Sequence, residues 1–289
     1  MSFKILRSFA ALCALTALSL VSCAAQTVLY ENRGADGTVI VTQDANGLRT
    51  LLFEHGGARQ SVVKPDDPDH LELPYAKAAL AGLALADRQE RMLVVGLGGG
   101  TLPMFLRRHY PGAQIDVVDI SPQVVEVARR YFGFREDQRM RAHVADGRKF
   151  IEDARPGAYD IIFLDAYGAD SVPAHLTTRE FLQAVRKALD PQGVVVSNVW
   201  GRGSNSLYDA MVRTYQDIFD DLYILSVREA ANHILLALPR RQVLSKAELA
   251  QRARRVSSAR QFRFDLGDIV DVGFMHARDR DPASRVLLD

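Results

Sequence analysis

The chain has 289 residues, with 36 Lys and Arg against 35 Asp and Glu, giving a formal net charge of +1. Charge so balanced excludes a nucleic-acid binder that works through a basic excess. A composition 48% apolar and 25% charged is that of a globular protein, long enough for one large domain with an appendage or two small ones.

At the start, Lys4 and Arg7 precede an apolar run over 9–23. A short basic stretch followed by such a run fits a bacterial secretion leader. The run is too short for a comfortable membrane span of about 20 residues. Leu20-Val21-Ser22-Cys23 resembles a lipoprotein box, in which Cys23 is lipidated and becomes the first mature residue. The expectation is export to the periplasm or cell envelope with a lipid anchor to the membrane. Plain cleavage near Ala25 and an uncleaved anchor are the alternatives. Cys13 and Cys23 are the only cysteines, so no disulfide or thiolate metal site is expected after the leader. The histidines are scattered without paired helical spacing, and no metal is expected.

Short β-branched and aromatic segments follow at 27–33, 38–44 and 48–54, separated by Gly34-Ala-Asp-Gly37 and Ala45-Asn46-Gly47. Asn-Gly between two such runs marks a hairpin. This predicts a small antiparallel sheet over 27–64, closed by the linker 64–68. An Ala/Leu-rich helix is predicted over 71–86. Beyond it, apolar strands (92–95, 114–119, 141–145, 159–165, 193–199, 222–226, 233–238) alternate with amphipathic helices (102–110, 121–132, 147–153, 178–189, 206–219). That alternation predicts a mostly parallel sheet covered on both faces. A last helix is predicted over 245–255, and from Ser257 the sequence reads as a polar tail. The expected organisation is a leader at 1–23, a β-hairpin domain at 24–70, a Rossmann-like α/β domain at 71–240, and a helix with tail at 241–289.

Four motifs stand at strand ends. Gly96-Leu97-Gly98-Gly99-Gly100-Thr101 follows a strand and opens a helix. Glycines allow a tight turn and close backbone approach to a ligand, and the helix N-terminus adds partial positive charge. A turn that binds nothing is the plainer alternative. Asp119 ends the next strand, about 20 residues beyond the loop, where a carboxylate accepts from a ribose diol. Capping a helix is its alternative, but Ser121 is the better cap. Asp146-Gly147 ends the third strand, where the acid would bond an adenine amino group or cap the following helix. Asp165, in Leu164-Asp165-Ala166-Tyr167-Gly168, ends the fourth. It would face a sulfonium centre or take a proton from an amine nucleophile. Its alternative is a loop Asp bonding its own backbone. The loop 168–177 would cover the site, and His175 within it is worth testing.

These motifs, in this order, resemble the spermidine synthases (polyamine aminopropyltransferases), over about 30–238. The resemblance implies a class I SAM-dependent transferase sheet, with S-adenosylmethionine (SAM) or its decarboxylated form as co-substrate. It implies a preceding antiparallel β domain that supports a homo-oligomer. It assigns the nucleoside loop to Gly96, Gly98 and Gly100, the ribose acid to Asp119, the adenine contact to Asp146 and Gly147, and the catalytic acid to Asp165. Gln60-Ser61 matches the Gln-Ser that closes the family's last N-terminal strand. Residues 176–182 match the helix after its gate loop, and Val199-Trp200 the stretch after its fifth strand.

The departures have a direction. Gly99 stands where the family's loop carries an Asp that holds the amino group of decarboxylated SAM. In Leu73-Pro74-Tyr75-Ala76-Lys77 only the family's Tyr survives, and its acid is gone. The gate loop lacks its second Asp unless Asp170 substitutes. A diamine acceptor needs carboxylates, since an unpaired buried ammonium is costly. Loss of the loop Asp removes repulsion against the carboxylate of intact SAM. The expected activity is therefore transfer of an aminopropyl or methyl group to a small-molecule amine or other nucleophile. Gln60, Tyr75 and Tyr167 would line the acceptor side, simple packing being the alternative for the tyrosines. A non-catalytic nucleoside-binding lipoprotein is the rival reading, since SAM is made in the cytosol. A nicotinamide-dependent dehydrogenase fits less well, because Thr101 stands where its third Gly belongs.

Overall fold

The computed structural model describes residues 26–34, 37–168, 171–276 and 281–289. The leader with Cys23, and Asp170 in the gate loop, lie outside the described residues. Four N-terminal strands, β1 (Thr27–Gly34), β2 (Gly37–Gln43), β3 (Arg49–Leu52) and β4 (Ser61–Val63), form an antiparallel sheet in that order. At the turn between β2 and β3, the Asp44 carboxylate accepts from the N–H groups of Asn46 and Leu48, each at 2.9 Å, while Gly47 takes φ +78°. The hairpin is therefore where Asn46-Gly47 places it. β4 is an addition: Gln60-Ser61 opens this short strand rather than closing it.

The main sheet has eight strands. Chain order runs β5 (Arg91–Val95), α2 (Thr101–His109), β6 (Gln114–Asp119), α3 (Pro122–Tyr131), β7 (Met140–Val144), α4 (Gly147–Glu152), β8 (Tyr159–Leu164), α5 (Arg179–Ala188) and β9 (Leu189–Trp200). It continues through α6 (Tyr208–Ile218), β10 (Asp221–Ser226), β11 (Asn232–Leu238), α7 (Lys246–Ala259), α8 (Leu266–Gly273) and β12 (Phe274–His276). The strand order is β12-β10-β11-β9-β8-β5-β6-β7. β5 to β9 are parallel, while β11 runs antiparallel between β9 and β10. Successive residues of β5 bury in opposite layers: Met92 and Val94 in one core, Leu93 and Val95 in the other. That is why the strands read as apolar runs without alternation.

The chain steps outward from β5 to β6 and β7, then returns to the other side of β5 with β8. At such a reversal the loops leaving the carboxyl ends of β5 and β8 diverge and leave a crevice. The N-terminal sheet closes one side of it. Val39, Val41, Leu51 and Val63 pack on Val124, Val127 and Phe132.

Three readings need correction. The helix over 71–86 is α1 (Pro74–Ala79) followed by a 3₁₀ turn over Leu80–Ala84. Pro74 is suited only to a first turn, which delays the start. β9 begins earlier than 193, because Leu189 pairs with Tyr159 before an irregularity that resumes at Ile161–Val194. The polar tail after Ser257 contains α8, with Leu266 and Val270 fully buried, and β12, which pairs with β10. Both are too short to show a period in sequence, and contacts with α7 and β10 hold them.

Candidate active site

β4 docks directly on the glycine loop: Ser61 Oγ lies 3.1 Å from Thr101 Oγ1, which also donates to the Val62 carbonyl at 3.3 Å. Within the loop, Gly96, Gly98 and Gly100 have φ of +98°, +51° and +76°, all left-handed. A Cβ on Gly96 would meet the carbonyl oxygen of Asp165 at 2.3 Å, so a side chain here would collide with the end of β8. Gly99 is confined too. A Cβ there would stand 2.6 Å from Phe132 Cδ1 and 2.8 Å from Ser61 Oγ.

Asp119 accepts from the N–H of Leu97 and of Ser121, each at 2.9 Å. Ser121 caps α3 through the N–H of Val124, as its position implies. Asp119 is thus not idle: it ties the glycine loop to the end of β6 while facing the crevice. Burial pushes its carboxyl above the ordinary range, against the pull of the Ser121, Leu97 and Gly98 N–H groups. Asp146 caps α4, the plainer of its two readings, and also meets a histidine. One oxygen caps α4 through the Lys149 N–H at 3.0 Å, and the other lies 3.0 Å from His175 Nε2. Burial raises its carboxyl, but the Lys149 N–H and the His175 ring outweigh that and hold it low.

Asp165 is the most perturbed acid of the site. Burial pushes it up to about 7, against hydrogen bonds from the Asn198 amide and the Tyr75 hydroxyl. Asn198 Nδ2 donates to Asp165 Oδ1 at 2.9 Å, and Asn232 Nδ2 donates to Asn198 Oδ1 at 2.8 Å. Two amides in series therefore aim at one carboxylate. Burial, and the charge of Asp165, hold the Tyr75 phenol well above its usual range, so it stays a proton donor. Tyr167 donates to the Asn198 carbonyl at 3.0 Å, and its ring lies 5.5 Å from that of Trp200.

These groups line one cavity of about 490 Å³. Gly96, Gly98, Asp119, Asp146, Gly147, Asp165, Gln60, Tyr75 and Tyr167 all border it. Gly100 does not; it supports the loop from behind, against Phe134. Asn198, Asn232, Glu72 and Glu229 border the cavity without having been singled out in the sequence. Asn198 could have been found, as a polar residue near the carboxyl end of an apolar strand. Glu72 puts a carboxylate at this wall beside Tyr75, although the acid of the expected pattern is missing. It lies 2.8 Å from His70 Nε2 and 3.7 Å from Arg59. Among the described residues, no group of three or more His, Cys, Asp or Glu is placed to share a metal ion.

A sheet of this order, with β11 reversed between β9 and β10 and the cavity at the carboxyl ends of β5, β6 and β8, defines the class I SAM-dependent transferase fold. Comparison with known proteins narrows the class. The spermine/spermidine synthase domain matches residues 75–221. The chain is 33% identical over 292 residues to a polyamine aminopropyltransferase of Vibrio vulnificus, covering 97% of this chain and 94% of that one. It is 36% identical over 208 residues to the human eEF1A lysine and N-terminal methyltransferase; that match takes in 65% of this chain but 30% of the relative. The structure of human methyltransferase-like protein 13 in complex with SAH superposes with a TM-score of 0.59 at 33% identity, over 65% of this chain and 93% of that one. The chain belongs to the spermine/spermidine synthase family.

Proposed function

We propose that the protein transfers a group from a sulfonium nucleoside to an amine, with Asp165 as the base and intact SAM as the preferred donor. The observation that carries the reading is Asp165 itself, buried at the carboxyl end of β8 and pushed up to about 7. A base with that affinity accepts a proton at neutral pH and returns it to water readily. Asp165 takes a proton from the acceptor ammonium. The freed nitrogen lone pair forms a bond to the carbon on sulfur, and the carbon–sulfur pair leaves with the now neutral thioether. Asn198 and Tyr75 hold the carboxylate in place, and the cavity walls exclude water and align the reactants. Asp119 would accept from the ribose, Asp146 from the adenine amino group, and the loop around Gly96 and Gly98 would admit the nucleoside closely.

Gly99 supports the choice of donor. Its side-chain direction is filled by Phe132 and Ser61, so the loop has no room for an acid facing the donor's tail. Without that acid, the tail carboxylate of intact SAM meets no repulsion from the glycine loop, and a decarboxylated tail loses a counter-charge there. Aminopropyl transfer is the second reading, favoured by the nearly full-length likeness to a polyamine aminopropyltransferase. Incubating the purified protein with either donor and a panel of diamines, or peptides bearing lysine and a free amino terminus, separates the two by product mass. Methylated product from SAM is expected. Aminopropylated product from decarboxylated SAM alone would overturn the donor assignment, and nucleoside binding with no transfer would favour a non-catalytic binder.

Two further proposals concern placement. Lys4, Arg7 and the run ending in Leu20-Val21-Ser22-Cys23 support lipidation of Cys23 and a place in the cell envelope. Palmitate labelling that survived Cys23→Ser would refute it. Family likeness supports a homo-oligomer through the N-terminal sheet, for which a monomer by light scattering would be the contrary result.

A further inference from the structure

The turn bordering the adenine end of the cavity is held from an unexpected direction. Pro173, His175 and Leu176 line the cavity beside Asp146 and Gly147. The polar ties of this turn run to the first turn of α4. His175 Nε2 meets Asp146 Oδ2 at 3.0 Å, and the His175 carbonyl accepts from Arg148 Nη1 at 3.4 Å. Arg148 is itself fixed by a distant segment. Its Nη1 and Nη2 donate to the two carboxylate oxygens of Asp289, both at 2.7 Å, and its Nε donates to Glu152 at 2.8 Å.

Asp289 is anchored in turn. Its carboxylate accepts from Thr178 Oγ1 at 2.8 Å, and its N–H donates to Glu180 at 3.2 Å. Leu287 donates to Thr214 Oγ1 at 2.9 Å, accepts from the Arg179 N–H at 2.8 Å, and packs against the core between the sheet and α5. Residues 287–289 thus lie across α5 and α6 like a strap and end on the guanidinium beside Asp146. A two-pronged arginine–carboxylate contact fixes orientation as well as distance. Arg148 sits between the carboxylates of Glu152 and Asp289, and its guanidinium holds the Asp289 carboxyl down to about 2.

We propose that His175 is a specificity-determining residue of the donor site, set in place by the Arg148–Asp289 strap. The inference rests on the reading that Asp146 faces the adenine. With His175 on one oxygen and the Lys149 N–H on the other, the Asp146 carboxylate is fixed in one orientation. A carboxylate so fixed accepts from the amino group of adenine and repels the carbonyl of hypoxanthine at the same place. If His175 swings away, the carboxylate gains a rotation and the discrimination weakens. Loss of Asp289 acts at one remove, by leaving Arg148 to Glu152 alone and the His175 carbonyl without its donor.

Calorimetry of the full chain with S-adenosylhomocysteine and S-inosylhomocysteine tests this. The wild type should prefer the adenosyl compound. His175→Ala and Asp289→Ala should each weaken adenosyl binding by about five- to tenfold, leave inosyl binding nearly unchanged, and so narrow the ratio by the same factor. A purely structural role for the strap would weaken both ligands alike and leave the ratio intact, which would overturn the proposal. Should Asp289→Ala fail to fold, His175→Ala still decides, because His175 is partly exposed and no core packing depends on it. If the wild type bound neither nucleoside, the underlying assignment of the site would fall, a result distinct from variants that bind with unaltered preference.

Discussion

Replacing Asp165 by Asn should make the protein more stable and much less active, and the gain in stability should depend on pH. In the folded chain burial lifts this carboxyl from 3.8 to about 7. Well below pH 4, the folded and unfolded chains both hold the proton, and the site costs nothing. Between about 4 and 7 the folded chain keeps a proton that the unfolded chain gives up, so stability falls as pH rises. Above 7 the full cost is present, at most about 4 kcal/mol for a rise of that size. Asparagine has the same shape, carries no charge and can still accept from the Asn198 amide. Part of the gain is offset where its own amide meets the Tyr75 hydroxyl, leaving about 2 kcal/mol. For a chain of this size that is about 3 °C in melting temperature. The assay is thermal unfolding of both proteins at pH 5, 7 and 8.5, beside single-turnover transfer. The variant's advantage should widen with pH and level off above 7, while the transfer rate falls by at least about 100-fold. A melting temperature that did not rise at pH 8.5, or an advantage constant across the series, would refute the claim that a buried carboxylate is held there at a cost. An unchanged rate would remove Asp165 from the chemistry.

Asn198→Leu removes the amide that favours the ionised form of Asp165, so the acidic limb of the kcat/KM profile should move upward from about 7 by about one pH unit; a limb that stayed in place would show that the amide does not stabilise the carboxylate. Gly96→Ala should destabilise the fold by about 3 kcal/mol or more in denaturant titration, because its Cβ meets the Asp165 carbonyl and its φ is +98°. An unaltered midpoint would mean that the loop yields more easily than its geometry implies. Asp160 serves as a contrast. It is 2% exposed and accepts from the N–H groups of Glu90 and Arg91 and from the Arg91 guanidinium, at the far end of β8 from the cavity. Asp160→Ala should cost about 3–5 kcal/mol of stability yet leave the nucleoside Kd of the folded protein unchanged by calorimetry.

Much of the candidate site was legible because strand ends are legible. An apolar run buried on both faces must end where the chain meets water, and in a parallel sheet those ends share one edge. Asp119 and Asp165 end such runs, Asp146 follows the edge strand β7 at the same end of the sheet, and the cavity gathers all three. The glycine loop was legible for a related reason, since consecutive glycines between a strand and a helix mark a backbone that other residues could not follow. The Asp146 cap on α4 was legible, because it spans three residues, but the longer contacts of these acids were not. That Asp146 would meet His175, or that Asp119 would hold the Leu97 N–H, depends on groups that converge only after the fold has assembled.

From local chemistry alone, then, come the alternation of strands and helices, the Asn46-Gly47 hairpin, the Ser121 cap and the residues at the mouth of the crevice. These depend on periodicity, backbone freedom and short-range hydrogen bonds, all of which act between neighbours in the chain. Tertiary structure decided the rest. It paired β12 with β10, aligned Asn232 and Asn198 on Asp165, packed Phe132 and Ser61 where Gly99 has no side chain, and brought Asp289 to Arg148. Each of those contacts joins residues far apart in the chain. Its energy exists only when the whole core has ordered and excluded water between them, so no window of sequence contains it.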